Sequence, residues 1–570
     1  MKNIIIQVWT FIKARAQDIL LCGVLVAVFA VAAFLKLGDT DYPRTAYIAD
    51  GEQVLIDFGR PVQLQYVAYI NGGNPETGFR ISAWGGEGPA SLSLEEMNMS
   101  RFVWLAFWFR VETRYIVLEP TETNVSILEM GFFSDKGFIE PVAYSNGAEL
   151  LFDEPHLVPK EDPSNFNSII FDEELYAVTA YEFIHGITPI EWTHPPLGKN
   201  LIALGINALG MTPLGWRFIC ALLSILMIIP IYALGKRMFG SPLLGFVAAF
   251  GFTFDFMHLA QSRVANIDTF LVTFIVCMFL FMNEYMRAKP ENRLSPKSLT
   301  YLALSGVFMG LGISVKWSAL FAGLGLGVLF AMAWVDSREF YAKPKNKESF
   351  TKDFSKTLKW CVLFFIVVPM AIYCISYIPF ARAQGLRWPG GIIQEQVDMF
   401  NYHRYIAEDT AFMSSWWTWP LDLESLVIYS RLDEQGGLYR GINTFGNPVL
   451  WWSGFLALIW VAKRWISDND KTARFLFVAW IVQIFPWAFI SRSSYIYHYY
   501  PCVPFLSLMV AYFIKTQQER RQIWYAVSFC ALAFILFVVF YPVISGAFPI
   551  SSGYQTWLEW LPGWDFIAKQ

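Results

Sequence analysis

Residues 19–35 run about 17 positions without a charge, long enough for a helix to cross a bilayer with little tilt. Comparable apolar runs return near 214–235, 240–258, 267–286, 299–315, 317–335, 360–380, 447–462, 475–490, 498–514 and 523–543, about eleven spans in all. That repetition constrains the fold more than any other feature. Inside hydrocarbon each backbone N–H and C=O must find its partner within the segment, so runs of this length become helices in a bundle. Composition agrees, with 55% hydrophobic and 16% charged residues, where soluble chains carry about a quarter charged. A wholly soluble multidomain protein is excluded.

Loop charges set the orientation. Lys2, Lys13 and Arg15 precede the first run, and Phe34-Leu35-Lys36 lacks the small residues of a signal-peptide cleavage site. The first run therefore reads as an uncleaved span with a cytoplasmic N-terminus. Lys236-Arg237, a loop with Arg287, Lys289, Arg293 and Lys297, and a loop with Lys343, Lys345, Lys347, Lys352 and Lys356 share that side. Lys463-Arg464 and Lys515/Arg520/Arg521 join them, and the tail after Tyr541 falls outside. The net charge of −4 leaves no basic footprint for nucleic acid. The seven cysteines have no zinc or disulfide spacing, so the sequence requires no metal or other cofactor, with divalent-metal dependence left open.

One polar stretch reads differently. Val54-Leu55-Ile56-Asp57-Phe58, Arg114-Tyr115-Ile116-Val117-Leu118-Glu119 and Val125-Ser126-Ile127-Leu128-Glu129 are short β-branched or aromatic runs. Turns such as Asn71-Gly72-Gly73-Asn74-Pro75 separate them, which predicts a β-sandwich over 42–135. The expected organisation is 1–37 cytoplasmic N-terminus and first span; 38–150 extracytoplasmic sandwich; 151–213 catalytic outer loop with amphipathic juxtamembrane helices. Beyond these come 214–380, spans two to seven; 381–446, an outer loop; and 447–570, spans eight to eleven with an outer tail.

Charged residues inside or at the edge of a membrane are costly unless paired or solvated, so their positions carry the functional signal. Asp172-Glu173 open a helix predicted over 171–186, where carboxylates suit the positive end of the helix dipole. His194-Pro195-Pro196-Leu197-Gly198-Lys199 follows, its double proline preceding a short amphipathic helix that presents His194 and Lys199 at the bilayer surface. Arg217 begins the second span, Arg263 and Asp268 flank the turn into the fourth, and Lys316-Trp317 mark the junction of spans five and six. Tyr497 and His498 stand at the outer start of span ten. Each admits a plainer reading: helix capping for Asp172-Glu173, snorkelling for Lys199, packing for His498, and pairing of Asp268 with Arg217 or Arg263. Asp153-Glu154 repeats the Phe-Asp-Glu pattern without the following helix and reads as a linker feature. Together the carboxylates, histidines and cations gather on one membrane face, a pattern suited to interfacial chemistry on a lipid-linked substrate. Mid-membrane polar residues and inverted repeats, the marks of a transporter, are not seen.

These segments resemble the protein O-mannosyltransferases and their bacterial relatives in the GT-C superfamily. The matching stretches are FDE (171–173), HPPLGK (194–199), GWRF (215–218), SRVANIDTF (262–270), KWSALF (316–321), SSWWTWPL (414–421) and YHYYPCVPF (497–505). The 381–446 loop is too short for the β-trefoil repeats of the eukaryotic enzymes, and the 42–135 stretch, which resembles discoidin and galactose-binding jelly rolls, has no counterpart in them. Both departures point to a bacterial member.

The resemblance implies an all-α GT-C transmembrane bundle carrying an extracytoplasmic β-sandwich, in a bacterial plasma membrane with its active site on the outer face. It implies an inverting transfer of a sugar, expected to be mannose, from a polyprenyl-phosphate donor to Ser/Thr hydroxyls of exported proteins, with a lipid or cell-wall glycan acceptor as the alternative. A non-enzymatic carbohydrate-binding membrane protein or a transporter is the remaining option. By resemblance Asp172 is the base and Glu173 orients acceptor or sugar. Arg217, Lys316 and Arg263 are candidates for the lipid phosphate, both cation types suiting phosphate oxygens, and His194 for sugar or phosphate. Lys199, Asp268, Trp317, Tyr497 and His498 are supporting residues. The eukaryotic relatives work as dimers, so a dimer is a further possibility.

Overall fold

A computed structural model describes residues 2–72, 78–84, 92–96, 100–145, 147–160, 164–343, 349–387, 390–405, 412–433 and 436–567. Gly73, Asn74 and Pro75 of the expected turn, and Lys345 and Lys347 of the expected basic loop, lie outside them. The chain divides into two compact units, one comprising 36–178 and 205–216, the other 1–35, 179–204 and 217–570.

The first unit holds β1 (Tyr47–Ala49), β2 (Val54–Asn71), β3 (Phe79–Trp84), β4 (Leu92–Glu96), β5 (Trp104–Pro120), β6 (Val125–Ser134), β7 (Gly137–Ile139) and β8 (Ala143–Tyr144). They form one eight-stranded sheet in the order β1-β6-β2-β5-β3-β4, with β7 on β6 and β8 on β2, every ladder antiparallel. Alternation decides the faces: Val54, Ile56 and Phe58 are buried while Leu55 is exposed. Instead of two separate sheets, the 18-residue β2 and the 17-residue β5 pair along most of their lengths, from Val54↔Leu118 to Ile70↔Trp104. Register shifts at Asp57/Val62 and Leu64/Tyr66 interrupt that ladder, and such bulges bend long strands. Val54 and Ile56 from one end of β2 and Val67 and Tyr69 from the other thus share a single core. At the first shift Gly59 takes φ +73°, its N–H donates to Asp57 (2.7 Å), and Arg114 grips the same carboxylate through two 2.9 Å bonds.

The second unit is helical. Its elements, some beginning or ending in the first, are α1 (Lys2–Phe34), α2 (Glu173–His185), α3 (Leu197–Leu209), α4 (Pro213–Phe239), α5 (Pro242–Thr253), α6 (Phe256–Ser262), α7 (Asp268–Met286), α8 (Pro296–Val315), α9 (Ala319–Val335) and α10 (Arg338–Ala342). There follow α11 (Ser349–Val362), α12 (Val368–Ser376), α13 (Ile378–Ala383), α14 (Ile392–Tyr405), α15 (Pro448–Asp468), α16 (Lys471–Ile484), α17 (Val503–Lys515), α18 (Glu519–Ser545) and α19 (Ser552–Trp557). Among the described residues nine helical segments are long and apolar enough to cross a membrane, or ten if α5 and α6, bent by 62°, count as one span. The segment expected as span ten is instead a 3₁₀ turn, Ile496–Cys502, leading into the 13-residue α17. Pro501 and Pro504 remove backbone donors there, which breaks a continuous α-helix.

The 381–446 region contains α14 and a hairpin of β9 (Leu426–Leu432) with β10 (Leu438–Thr444), joined at its edge by β11 (Ile550–Ser551). A dense aromatic core ties α1 to α4–α6 and α18, with Phe29, Phe256, Phe445, Phe540 and Trp564 at its centre. Smaller packing places α14 near the site: Ile392 and Met399 join Tyr377 and Phe380, with Trp192 and Trp317 against them.

Candidate active site

In the helical unit α8 ends at Val315 and α9 begins at Ala319, and the corner between them carries Lys316 and Trp317. A cavity of about 530 Å³ opens at this corner. His194, Lys316 and Trp317 line it together with His403 and Arg404 of α14 and with Arg492. Three cations thus face the space and, among the described lining residues, no carboxylate does. Phe321, Phe400, Trp487 and Phe489 make up much of the rest. Such a lining fits an anionic group attached to hydrocarbon: the cations hold the charge and the aromatic wall takes the apolar part.

Local folding explains the placement. Pro195 and Pro196 fix the backbone ahead of α3, and Gly198 lies so near Ile267 that a Cβ at this position would come within 2.6 Å of Cγ2. The first turn of α3 thereby presses on the start of α7. Lys199, fully buried, directs its ammonium onto the Glu191 carboxylate and onto the backbone oxygens of His194 (2.7 Å) and Glu191 (3.2 Å). The other Glu191 oxygen takes the Thr193 hydroxyl (2.5 Å) and lies 3.1 Å from His194 Nδ1. Burial opposes charge on Glu191, but Lys199 and His194 hold its carboxyl well below the usual carboxylate range. Lys199, expected at the bilayer surface, is therefore an internal brace: a buried ammonium needs a counter-charge, and Glu191 supplies it.

Lys316 is held by Asp268, with Nζ 2.9 and 3.1 Å from the two carboxylate oxygens, and faces the Tyr497 ring at 5.4 Å. Asp268 thus pairs with Lys316, not with the expected Arg217 or Arg263, because the start of α7 packs beside the end of α8. Trp317 donates its indole N–H to Tyr373 (3.0 Å). His498 is buried, takes the Tyr495 N–H on Nδ1 (3.1 Å), and packs on Trp487 and Tyr497. Arg217 is buried in the first turns of α4. Arg263 does not line the cavity: Nε donates to Ser545 O (2.6 Å) and Nη1 to Ala33 O (2.9 Å) and Leu35 O (3.0 Å). It joins the carbonyl ends of α1 and α18, a natural seat for a cation. In the sheet unit, Glu173 is fully buried and accepts the Ile170 N–H (3.1 Å), while the Asp172 carbonyl accepts the N–H groups of Leu175 and Tyr176 that open α2.

Four charged or titratable cavity or bracing residues escaped the sequence reading: Glu191, His403, Arg404 and Arg492. Only Glu191 left a trace, an acid three residues before His194. His403 shows its tautomer by its partners, since Nε2 must donate to Thr193 O (2.7 Å) while Nδ1 accepts from Arg492 Nη1 (3.1 Å). Burial, with His194 and Arg492 adding, pushes His403 down to about 3. Burial likewise lowers His194, with Glu191 opposing. Because the unfolded imidazole titrates near ~6.5, acidification lets the unfolded chain bind a proton that the folded chain refuses. Stability is therefore expected to fall as pH drops below about 6.5, continuing toward 3. His403→Gln keeps one donor and one acceptor but gains no proton, so its melting temperature should decline less steeply between neutral pH and pH 5; identical slopes would contradict the assignment.

Among the described residues, one carboxylate trio could share a cation: Glu129, Asp153 and Glu154 of the sheet unit, with ligand oxygens within 4.8 Å. Glu129 already accepts the Glu154 N–H (2.8 Å), and burial raises its pKa to about 8, which suits a protonated acid better than a metal ligand.

Comparison with known proteins supports a family. Residues 208–380 match the family described as dolichyl-phosphate-mannose-protein mannosyltransferase, and residues 390–564 match the C-terminal four-span region of protein O-mannosyltransferase. A polyprenol-phosphate-mannose–protein mannosyltransferase of Mycolicibacterium smegmatis is 26% identical over 463 residues, 70% of this chain and 89% of the relative. Its counterpart in Corynebacterium glutamicum is 25% identical over 69% and 88% of the two chains. Among solved structures, a Saccharomyces cerevisiae Pmt1-Pmt2 protein O-mannosyltransferase complex bound to the sugar donor superposes with a TM-score of 0.59 at 14% identity, covering 70% of this chain and 89% of that one.

Proposed function

We propose that this chain, which belongs to the protein O-mannosyltransferase family of the GT-C superfamily, transfers mannose from a polyprenyl phosphate to Ser/Thr hydroxyls of proteins at the outer membrane face. The observation that carries the reading is the cavity at the α8–α9 corner, cationic through Lys316 and Arg492 and aromatic elsewhere. A lipid-linked sugar phosphate has the same two-sided chemistry. On this reading the basic loops support a cytoplasmic position for the opposite helix ends, and taking α5 with α6 and the broken segment 496–515 as one crossing each would bring the nine helical spans to eleven, with the C-terminus outside. The plasma membrane is the compartment this reading assigns.

The chemistry balances without a further reactant. Asp172, the base, takes the proton of the acceptor hydroxyl as its oxygen bonds to the anomeric carbon from the face opposite the phosphate. The bond from that carbon to the phosphate oxygen breaks, its electron pair leaves with the phosphate, and the configuration inverts. Lys316 and Arg492 stabilise the charge that develops on the departing group, as preorganised cations do at low cost in reorganisation. Asp268 and the neutral His403 hold those two cations in position. Glu173 fixes the turn that carries Asp172.

The test is direct. Purified protein in nanodiscs, given radiolabelled mannosyl polyprenyl phosphate and a Ser/Thr-rich peptide, should place label on the peptide that β-elimination releases. Donor consumption without peptide label would move the acceptor to a lipid or glycan, and an intact donor would overturn the reading.

A further inference from the structure

A second cavity, about 320 Å³, lies at the other end of the same helices. It is lined by the ends of α7 and α9, the start of α16 and the turn before α8. The 20 residues of α8 rise about 30 Å between the two cavities, roughly a bilayer's hydrocarbon thickness. The donor chemistry proposed for the first cavity therefore does not account for the second.

Its lining is built of donors. Arg293 is 4% exposed, and among the described residues neither its Nε nor its Nη1 meets an acceptor. Asn283, also buried, has an amide nitrogen without an acceptor on the same cavity. Arg287 and Lys471 stand more exposed around it. Asp336 is the one carboxylate among the described lining residues, and it is already engaged by Arg474 (Nη1 to Oδ1 3.2 Å) and by Lys471 (3.4 Å). The Arg293 guanidinium rests 5.2 Å from the Trp334 ring centroid, which supports the cation without neutralising it. Leaving a buried guanidinium without an acceptor costs more than satisfying it with a charged one. Burial pushes Arg293 below its ordinary pKa, outweighing the opposing pull of Tyr285, Tyr341 and Asp336.

We propose that this cavity binds a phosphate group, held by Arg293 and Asn283 within and by Arg287 and Lys471 at the rim. The rim cations are partly engaged, Lys471 with Asp336 (3.4 Å) and Arg287 with Glu284 (3.8 Å), but the unmatched Arg293 and Asn283 donors beneath them call for an anion with several acceptor oxygens. On the side marked by basic loops, the sources of that chemistry are the headgroup of an anionic phospholipid and free phosphate.

Melting temperatures of the full chain separate the sources and test the site without reference to transfer activity. One arm compares dioleoylphosphatidylcholine nanodiscs with and without dioleoylphosphatidylglycerol. The other titrates sodium phosphate in detergent against sodium chloride at equal ionic strength. Wild type should be stabilised in at least one arm: the lipid arm alone identifies a headgroup, the phosphate arm alone a free anion, and both a phosphate group from either source. Arg293→Gln should weaken the apparent affinity about tenfold or more. Lys471→Gln, at an exposed position, should weaken it less and serves if the buried variant fails to fold. No stabilisation of wild type in either arm, or equal stabilisation of wild type and whichever variants fold, would overturn the proposal.

Discussion

Replacing Asp172 by Asn is expected to reduce mannosyl transfer about a thousandfold in kcat while leaving the donor KM little changed. A positioned general base contributes about 10²–10⁴-fold, and the amide cannot take the hydroxyl proton. The cations assigned to the phosphate are untouched, so the loss belongs in the chemical step. Asn caps a helix as well as Asp does, and the Leu175 and Tyr176 N–H groups that open α2 donate to the residue's backbone carbonyl, which the substitution keeps, so the fold should survive. Radiolabel transfer at saturating donor measures the effect; a variant within a few-fold of wild type would remove Asp172 from the mechanism.

Glu191→Leu is expected to be the most destabilising single change near the cavity. It strips the buried Lys199 of its counter-charge and leaves the ammonium only the carbonyls of residues 191 and 194. Breaking a buried pair from one side costs about 3–5 kcal/mol. Removing both charges, as in Glu191→Leu with Lys199→Met, should recover much of that loss, since replacing a whole buried pair with apolar groups is close to neutral. Thermal unfolding of the single and double variants gives the comparison. A double variant that melts below Glu191→Leu would show that the pair is not the source of the effect.

How far the sequence could be read depends on which physical signal each part leaves. Helix length is written in the apolar runs, so most spans stand close to their expected positions. Two segments are exceptions: 240–258 is broken into α5 and α6 by a 62° bend, and in 498–514 a hydropathy window does not register that Pro501 and Pro504 break the helix. Alternation in Val54-Leu55-Ile56-Asp57-Phe58 assigns a face to each side chain. It carries no information on where β2 bends, so a single continuous sheet was not foreseen. In the site, Lys316 and His194 are legible because polar residues at the edge of apolar runs are costly. Arg263 carried the same signal and has another use, since binding backbone carbonyls leaves no pattern in the sequence. His403 and Arg492 reach the cavity from α14 and from the segment before Ile496, and only the folded chain brings them together.

The central claim is that the cavity at the α8–α9 corner receives the donor's phosphate. Photo-crosslinking with a polyprenyl phosphate carrying a diazirine beside its phosphate, mapped by mass spectrometry, tests it most directly. The expected labels fall on 316–321, 399–404 and 487–492, and unlabelled polyprenyl phosphate suppresses them. Specific, competable labelling confined to other segments, the cavity around Arg293 included, would contradict the account.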